Sequence, residues 1–168
     1  METILDTEFD ARDLRKAFGR FATGVTVVTA ALPDGRRVGI TANSFTSVSM
    51  SPPLVSWNYR RDAFGLALLM QASHFAVHVL AEDQMHLSPQ FASPVPDRFA
   101  GVSVSEGLGG VPLIDGCGAT FECRLWSTFE AGDHVIIVGE VLRYTHSDAP
   151  PLVFHAGSYL QWPRAWHV

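Results

Sequence analysis

The sequence is short of charged residues and has no strongly basic segment. Asp, Glu, Lys and Arg make up 17% of its 168 residues, and the formal net charge is −5. Globular chains usually carry about a quarter of charged residues. Without a basic stripe, we expect neither nucleic acid nor an anionic membrane surface as a partner. Because so little charge is available to cover the surface, we expect a homo-oligomer.

Long apolar runs and a secretion signal are also missing. No run approaches the roughly 18 consecutive apolar residues of a membrane-spanning helix. The N-terminal segment METILDTEFDARDLRK is acidic, whereas a signal peptide begins basic and continues apolar. The two cysteines, Cys117 and Cys123, are too far apart along one predicted strand to form a disulfide. We therefore expect free thiols and a cytoplasmic location.

Several motifs that carry catalysis elsewhere are absent. There is no G-x-G-x-x-G after a strand and no P-loop, which argues against a Rossmann fold and a nucleoside triphosphatase. There is no G-x-S-x-G elbow, which argues against a serine hydrolase. His74 and His78 form an H-x-x-x-H pair, but this segment predicts a strand and no third ligand follows. We therefore expect no metal site.

The apolar pattern predicts a mainly β chain with flanking helices. Runs of β-branched residues separated by turn residues predict six to eight short strands, most of them joined by short turns. Short turns favour antiparallel pairing. Helices are predicted over 10–20, 62–72 and 82–92. A closed or split β-barrel would cover the edges of so few strands.

The chain length suits one domain with a sizeable core. We expect that domain over 13–162, after an N-terminal extension (1–12) and before a C-terminal tail (163–168). The segment 93–116 is rich in Pro and Gly and predicts a long functional loop. The segment 151–162 predicts one terminal strand.

One uncharged stretch, GITANSFTSVSMSPPLVSWN (39–58), stands out because it has hydroxyl and amide side chains without a carboxylate or a lysine. Two interpretations are open. Thr and Ser suit strands, and Asn-Ser can form a bulge. Alternatively, the stretch lines a site for a planar, neutral ring that is rich in hydrogen-bonding groups, such as an isoalloxazine.

The charged candidates also have two interpretations each. His134 lies at a predicted hairpin corner. It is either an exposed turn residue or a group that handles a proton or contacts a phosphate. Arg60 and Arg61 precede a predicted helix, where they are solvated or neutralise a phosphate together with the helix N-terminus. Asp62 counts against an anion at that position.

Six segments, in their order and spacing, resemble the flavin reductase-like family, the short-chain NAD(P)H:flavin oxidoreductases that serve two-component monooxygenases. The segments are FGRFATGVTVVTA, GITANSFTSVSMSPPLV, HFAVHVLAEDQMHLSPQFA, DRFAGV, GDHVIIVGEV and PLVFHAGSY. The resemblance implies an antiparallel, FMN-binding split β-barrel, usually a homodimer with flavin near the subunit interface. It also implies hydride transfer from NADH or NADPH to FMN or FAD, and a separate monooxygenase that receives the reduced flavin.

The same resemblance assigns residues to the cofactors. Those implied to hold the isoalloxazine are Val38, Gly39, Ile40, Thr41, Asn43, Ser44 and Ser47. Those implied to hold the ribityl chain and phosphate, or to reach the same cofactor, are Asn58, Tyr59, Arg60, Ala63, Phe64, Gln90 and Phe91. Those implied for the nicotinamide nucleotide are His134, as the catalytic residue, with Phe154, His155, Gly157 and Tyr159.

The sequence departs from the family where a helix starts after PPLV. Many relatives carry Ser or Thr there, but this chain has RRDAF, so phosphate binding is left to the two arginines and backbone N–H groups. The choices between FMN and FAD, between NADH and NADPH, and between exchanging and tightly held flavin stay open. Three other functions also stay open: a flavin carrier or sensor without turnover, a related flavin or haem enzyme, and a purely structural barrel.

Overall fold

The structure is a computed structural model that describes residues 10–160, except for the side chain of Phe64. The strands are β1 (Thr23–Gly24), β2 (Thr26–Ala31), β3 (Arg37–Ala42), β4 (Thr46–Met50), β5 (Pro53–Arg60), β6 (His74–Val79), β7 (Val104–Glu106), β8 (Pro112–Ile114), β9 (Ala119–Ala131), β10 (His134–His146), β11 (Val153–His155) and β12 (Ser158–Leu160). The α-helices are α1 (Ala11–Phe18), α2 (Phe64–Leu69) and α3 (Leu87–Ala92). Short 3-10 turns lie at Glu82–Gln84 and Leu108–Gly110. The prediction of a mainly β, antiparallel chain with flanking helices is confirmed.

Seven strands form one antiparallel sheet in the order β3-β2-β6-β9-β10-β5-β4. Ile40 of edge strand β3 lies in the same buried cluster as Trp57 of β5, Phe75 of β6 and Ile137 of β10. The sheet therefore curls around this apolar cluster. Within residues 10–160 it does not close through backbone hydrogen bonds, because β3 and β4 remain its two edges.

A second buried cluster covers the opposite face of β2 and contains Val27, Leu80, Phe91 and Leu152. Its outer wall comes from α3 and from the chain that follows it. The segment 93–116, predicted to be a loop, contains the β7–β8 hairpin and the second 3-10 turn. That prediction was wrong in part, because this segment is folded onto the sheet and carries core residues.

The helices are shorter than predicted. Helix α1 begins after Asp10, whose carboxylate accepts hydrogen bonds from the backbone N–H groups of Arg12 (2.8 Å) and Asp13 (3.4 Å), and it ends at Phe18. Residues 82–92 divide into a 3-10 turn and α3. Pro89 lies in the first turn of α3, where its missing N–H is not required.

The predicted single strand over 151–162 was wrong. Strands β11 and β12 form a hairpin, and the chain reverses at Ala156 (φ 48°) and Gly157 (φ 84°). Glycine suits this turn because it adopts positive φ without a steric cost. Residues 1–9 of the predicted extension, and 161–168 with the predicted tail, lie outside the described residues.

Twelve strands are present within residues 10–160, more than the six to eight predicted, because several are only two or three residues long. Both cysteines are free, as predicted. Cys117 lies before β9 and Cys123 lies within it, so the prediction of one shared strand was wrong. Burial raises the pKa of each thiol to about 12.

A histidine is fully buried between β2 and β9. His78 Nδ1 lies 3.0 Å from the carbonyl oxygen of Val27, so it carries the proton and donates, while Nε2 has no partner among the described residues. Burial lowers the pKa of His78 to about 4. The ring is therefore neutral at physiological pH. His74 and His78 do lie on a strand, β6, as predicted.

None of the helices within residues 10–160 combines the length and the hydropathy needed to cross a bilayer.

Candidate functional site

A shallow depression of about 650 Å³ lies between the end of β3 and the neighbouring strands β5 and β10. Its lining residues are Phe18, Ile40, Thr41, Ala42, Asn43, Ser44, Asn58, Tyr59, Arg60, Ala63, Ala131, His134 and Ile136. It therefore brings together nine of the residues that the family resemblance implies, from three separate parts of the sequence.

Two further hollows meet the depression at Asn43. One, of about 540 Å³, runs past Thr23, Thr26 and Phe45. The other, of about 170 Å³, runs to Phe154 and Tyr159 of the C-terminal hairpin. The three hollows form a groove that passes from the β5–β10 side to that hairpin, with Asn43 at its centre.

One side of the groove is the hydroxyl rim, defined here as residues 41–45. Thr26 Oγ1 donates a 2.7 Å hydrogen bond to the carbonyl of Ala42, and Thr41 Oγ1 donates a 2.6 Å hydrogen bond to the carbonyl of Ser88. Residues 43–45 lie between β3 and β4, outside the ladder. Their backbone N–H groups have no acceptor within residues 10–160. The rim therefore presents free backbone donors on a well-anchored loop.

Ser44 fastens this rim to β5. The backbone N–H of Asn58 donates to Ser44 Oγ at 2.9 Å, and the Ser44 hydroxyl in turn lies 3.4 Å from the carbonyl of Asn58. The hydroxyls of Thr41 and Ser44 are thus used inside the protein. The side-chain amide of Asn43 is exposed and makes no such bond in the described part of the chain.

The opposite side is the charged corner, defined here as Arg60, Asp62, Asp133 and His134. Arg60 donates to both carboxylate oxygens of Asp62, at 3.0 and 2.6 Å, and His134 Nδ1 lies 2.8 Å from Asp133 Oδ1. These hydrogen bonds lower the pKa of both carboxyl groups. Arg60 and His134 are partners in the β5–β10 register, so both pairs sit together at one end of the depression.

The helix start beside this corner differs from the prediction. Helix α2 spans six residues, Phe64–Leu69, and its N-cap, Ala63, provides no side-chain hydrogen bond. Arg61 lies 3.7 Å from Glu130. Because Arg60 and Arg61 are both paired with carboxylates, the described residues provide no unpaired arginine at this point for a phosphate.

Seven predicted residues lie outside the groove lining, four of them on the neighbouring strands and helix. Val38 packs against the inner cluster and Ser47 is exposed on β4. Phe91 is fully buried, and a Cβ on Gly39 would lie 2.4 Å from its ring. The structure therefore places Gly39 and Phe91 in the packing between β3 and α3.

Gln90 and two hairpin residues are also displaced from the groove. The Gln90 amide donates to the carbonyls of Arg98 (2.8 Å) and Ala100 (3.0 Å), which braces the chain after α3. His155 is half-buried and Gly157 lies in the turn beside α1. The described backbone of Phe64 begins α2. Of the four predicted hairpin residues, Phe154 and Tyr159 line the groove.

Two residues with a role here were not predicted. Ser88 accepts the Thr41 hydroxyl with its carbonyl and the Tyr159 hydroxyl with its side chain. Arg98 Nη1 donates to the carbonyl of Gly39 at 2.8 Å and so supports β3 from behind. Both lie in segments, SPQFA and DRFAGV, whose order suggested the family, but neither has a local pattern that predicts its contacts.

Another hollow, of about 430 Å³, lies beside Glu82 and Asp83 and shares Tyr159 with the groove. Two carboxylates and an apolar wall suit a nucleotide poorly, because its phosphates carry the same charge. The groove at Asn43 is therefore the better candidate for a nucleotide-like ligand.

Comparisons with known proteins identify the family of this chain. Residues 18–163 match the model of the "Flavin reductase like domain" family. A "Probable flavin reductase" of Rhizobium meliloti (strain 1021) is 46% identical over 151 residues, which cover 90% of this chain and 49% of that protein. The "FMN reductase (NADH) SmoA" of Agrobacterium fabrum is 45% identical over 155 residues, covering 92% of this chain and 88% of that one. The chain thus spans about half the length of the first relative.

A solved structure is similar over nearly its whole length. The Streptomyces globisporus NADH:FAD oxidoreductase SgcE6, in complex with NAD and FAD fragments, superposes with a TM-score of 0.89 at 38% identity. The match covers 97% of this chain and 99% of that one. On these matches, together with the sheet and groove described above, the chain belongs to the flavin reductase-like domain family.

Proposed function

We propose that this chain reduces FMN or FAD with NADH or NADPH and supplies the reduced flavin to a separate monooxygenase. The observation that carries the proposal is the hydroxyl rim, an uncharged, anchored loop whose backbone N–H groups are free to bind a ligand. The name of SmoA, an FMN reductase (NADH), supports the reaction. The name of Stc3, a reductase subunit of stachydrine N-demethylase, supports the division of labour with an oxygenase.

The residues fit a flavin by the chemistry of their donors. The pyrimidine edge of an isoalloxazine is uncharged and rich in acceptors, and the free N–H groups of residues 43–45 provide donors without a competing charge. Ile40 and Ile136 line the same depression and offer apolar cover for the rest of the ring. Since the Thr41 and Ser44 hydroxyls already donate inside the protein, the backbone and the Asn43 amide provide these contacts.

The phosphate is assigned to the charged corner. Arg60 is the cation nearest to the depression on β5, and it must leave Asp62 to bind a phosphate. An exposed ion pair of this kind adds little stability, so Arg60 can exchange partners easily, but competition from Asp62 also weakens phosphate binding. This supports a flavin that exchanges between turnovers, which is what a supplier of reduced flavin requires.

Each side of the groove then has a distinct task. When bound, the flavin accepts a hydride from the reduced nicotinamide. The N–H groups of the hydroxyl rim stabilise negative charge at the N1–C2 carbonyl edge of the ring. His134 positions the nicotinamide nucleotide from one end and Phe154 with Tyr159 from the other. No side chain is needed as a general acid or base.

The finer features of the prediction form part of this proposal. The curled sheet supports an FMN-binding split β-barrel over 13–162. Exposed apolar side chains on β4 and β9, among them Met50, Trp126 and Phe129, support a homodimer that covers them. The free, high-pKa thiols suit the reducing cytoplasm.

The proposal is tested by following absorbance at 340 nm with each nucleotide in the presence of FMN or FAD. We expect oxidation of NADH or NADPH that depends on added flavin. Binding of flavin without nucleotide oxidation would favour the carrier or sensor, and absence of both would overturn the assignment of the groove. An Asn43→Ala variant should weaken flavin binding, whereas a Ser47→Ala variant on the exposed part of β4 should not.

A further inference from the structure

A buried polar link joins the two sides of the small hollow beside Asn43. The hydroxyl of Tyr159 on β12 donates a 2.8 Å hydrogen bond to Ser88 Oγ on α3. The hydroxyl of Thr41 on β3 donates a 2.6 Å hydrogen bond to the carbonyl of the same serine. Ser88 is 4% exposed. One buried residue therefore holds the hydroxyl rim with its backbone and the terminal hairpin with its side chain.

This link is one of several contacts that place the hairpin. Within residues 10–160, strand β12 pairs with β11 alone, β11 pairs with β1 at two residue pairs, and Phe154 packs against the second buried cluster. The turn adds one backbone hydrogen bond, from Ala156 to Gly19, at 2.9 Å. Within residues 10–160, the Tyr159–Ser88 bond is the side-chain hydrogen bond that ties β12 directly to α3.

The link also sets the shape of the hollow. Val25, Thr41, Asn43, Ser88, Phe154 and Tyr159 line it. The rings of Phe154 and Tyr159 are 5.3 Å apart and tilted by 60°. Ser88 joins the Tyr159 end of this aromatic pair to the hydroxyl rim and so helps to set their separation.

We propose that Ser88 is a positioning residue for the nicotinamide: it sets the distance between the aromatic pair on the hairpin and the flavin at the hydroxyl rim. This inference rests on the proposed function. Hydride transfer requires the reacting atoms about 3–3.5 Å apart, and a small displacement of one ring slows it strongly. Because the Tyr159 hydroxyl is engaged with Ser88, the tyrosine acts here through its position.

The test compares Ser88→Ala, Tyr159→Phe and the double variant. Each single change removes the same hydrogen bond, and we expect each to lower kcat/KM for NADH by about three- to tenfold, the usual worth of one such bond. The Kd of FMN, measured by quenching of flavin fluorescence, should stay within about twofold. The double variant should be no worse than the worse single variant, since both changes break one bond.

Ser93→Ala is the matched control. Ser93 follows α3 and donates a 2.7 Å hydrogen bond to the carbonyl of Pro89, so it makes a bond of similar length on the same helix but does not line the hollow. We expect it to leave kcat/KM for NADH unchanged. If Ser88→Ala does not fold, Tyr159→Phe tests the same bond from its exposed end.

Three results would overturn the inference: unchanged NADH kinetics in Tyr159→Phe, an equal loss in Ser93→Ala, or additive losses in the double variant. A parallel rise in the Kd of FMN would assign Ser88 to the flavin side instead. Measurements on the wild-type protein distinguish failure of the proposed function from failure of the inference about Ser88. If that protein oxidises no nicotinamide nucleotide with either flavin, the proposed function fails and this inference fails with it.

Discussion

The hydroxyl rim and the charged corner face the same depression and are held by different interactions. The rim is fixed by hydrogen bonds of 2.6–2.9 Å from Thr26 and Thr41 and to Ser44, and it rests on buried α3. The corner is held by exposed ion pairs, in which the side chains of Arg60 and Asp62 are 65% and 69% exposed.

This difference separates two binding tasks. The hydrogen bonds of Thr26 and Thr41 are partly buried, and breaking a bond that is sheltered from water leaves a polar group without a partner, at a cost of about 1–3 kcal/mol. Exposed ion pairs add little stability and can be exchanged for ligand contacts. The rim is therefore preformed for the rigid flavin ring, whereas the corner adapts to the flavin phosphate and to the nicotinamide nucleotide that binds next.

The largest expected effect is on the stability of the central sheet, where acid protonates the unfolded form of buried His78 on β6. His78 has a folded pKa of about 4, below the unfolded value of 6.5. The unfolded chain therefore binds the extra proton first, and stability present above pH 6.5 is lost as the pH falls toward 4. The full loss is on the order of 3 kcal/mol. Urea unfolding between pH 7 and pH 4.5 measures it.

Substitution of the buried histidine provides the control for this measurement. His78→Gln should flatten the slope of unfolding free energy against pH, because it removes the group that gains its proton on unfolding. The pKa values of Asp62 and Asp133 are lowered from 3.8, so these two carboxylates remain ionised throughout. A wild-type protein whose stability does not change between pH 6.5 and 4.5 would contradict the assignment.

The packing under the rim gives the next effect. In Gly39→Ala, the new Cβ meets the Phe91 ring at 2.4 Å, and Phe91 is fully buried against Phe99. Overpacking of this kind costs about 1–3 kcal/mol of unfolding free energy. Thermal or urea unfolding should detect it, and FMN affinity should fall because β3 must shift.

The control is Gly24→Ala, which places a Cβ with nothing within 4 Å. Its unfolding free energy should stay within about 0.5 kcal/mol of the wild-type value. Equal stability of the two variants would mean that β3 and α3 are not rigidly packed and that the rim is as adaptable as the corner.

The sequence was sufficient for the class of fold and for the centre of the groove. Alternating β-branched runs and short turns predict antiparallel strands because neighbouring residues supply both signals. The family resemblance assigned Asn43 and Ser44 to the isoalloxazine, and Asn43 borders all three hollows. These features depend on residues that are close in the sequence.

The contacts that individual side chains make could not be predicted in the same way. Ser88 meets Thr41 and Tyr159 at sequence separations of 47 and 71 residues, so no local pattern reports either bond. Phe91 belongs to a matching segment, yet its ring fills the space beside Gly39. The turn at Ala156 was missed because HAGSY offers one glycine between residues that all suit a strand.

The adaptable corner is tested by removing its arginine. Arg60→Gln should raise the Kd of FMN by about tenfold, the worth of one charge-assisted hydrogen bond, and leave that of riboflavin unchanged because riboflavin has no phosphate. Asp62→Asn should tighten FMN, since it releases Arg60. Fluorescence titrations with both flavins measure this. Arg36→Gln is the control, because Arg36 pairs with Asp34 at 2.7 Å in a distant turn. Equal losses for FMN and riboflavin would contradict phosphate binding by Arg60.

The smallest effect is expected at His134, the histidine of the charged corner. His134 is half-exposed and held by one hydrogen bond to Asp133, so His134→Ala removes a contact that water partly replaces. We expect the KM for NADH to rise about three- to fivefold and the Kd of FMN to change by less than twofold. His146→Ala, at the far end of β10, should change neither. If FMN binding and NADH use weaken equally, the corner serves the flavin alone, and the nicotinamide is positioned entirely from the hairpin side of the groove.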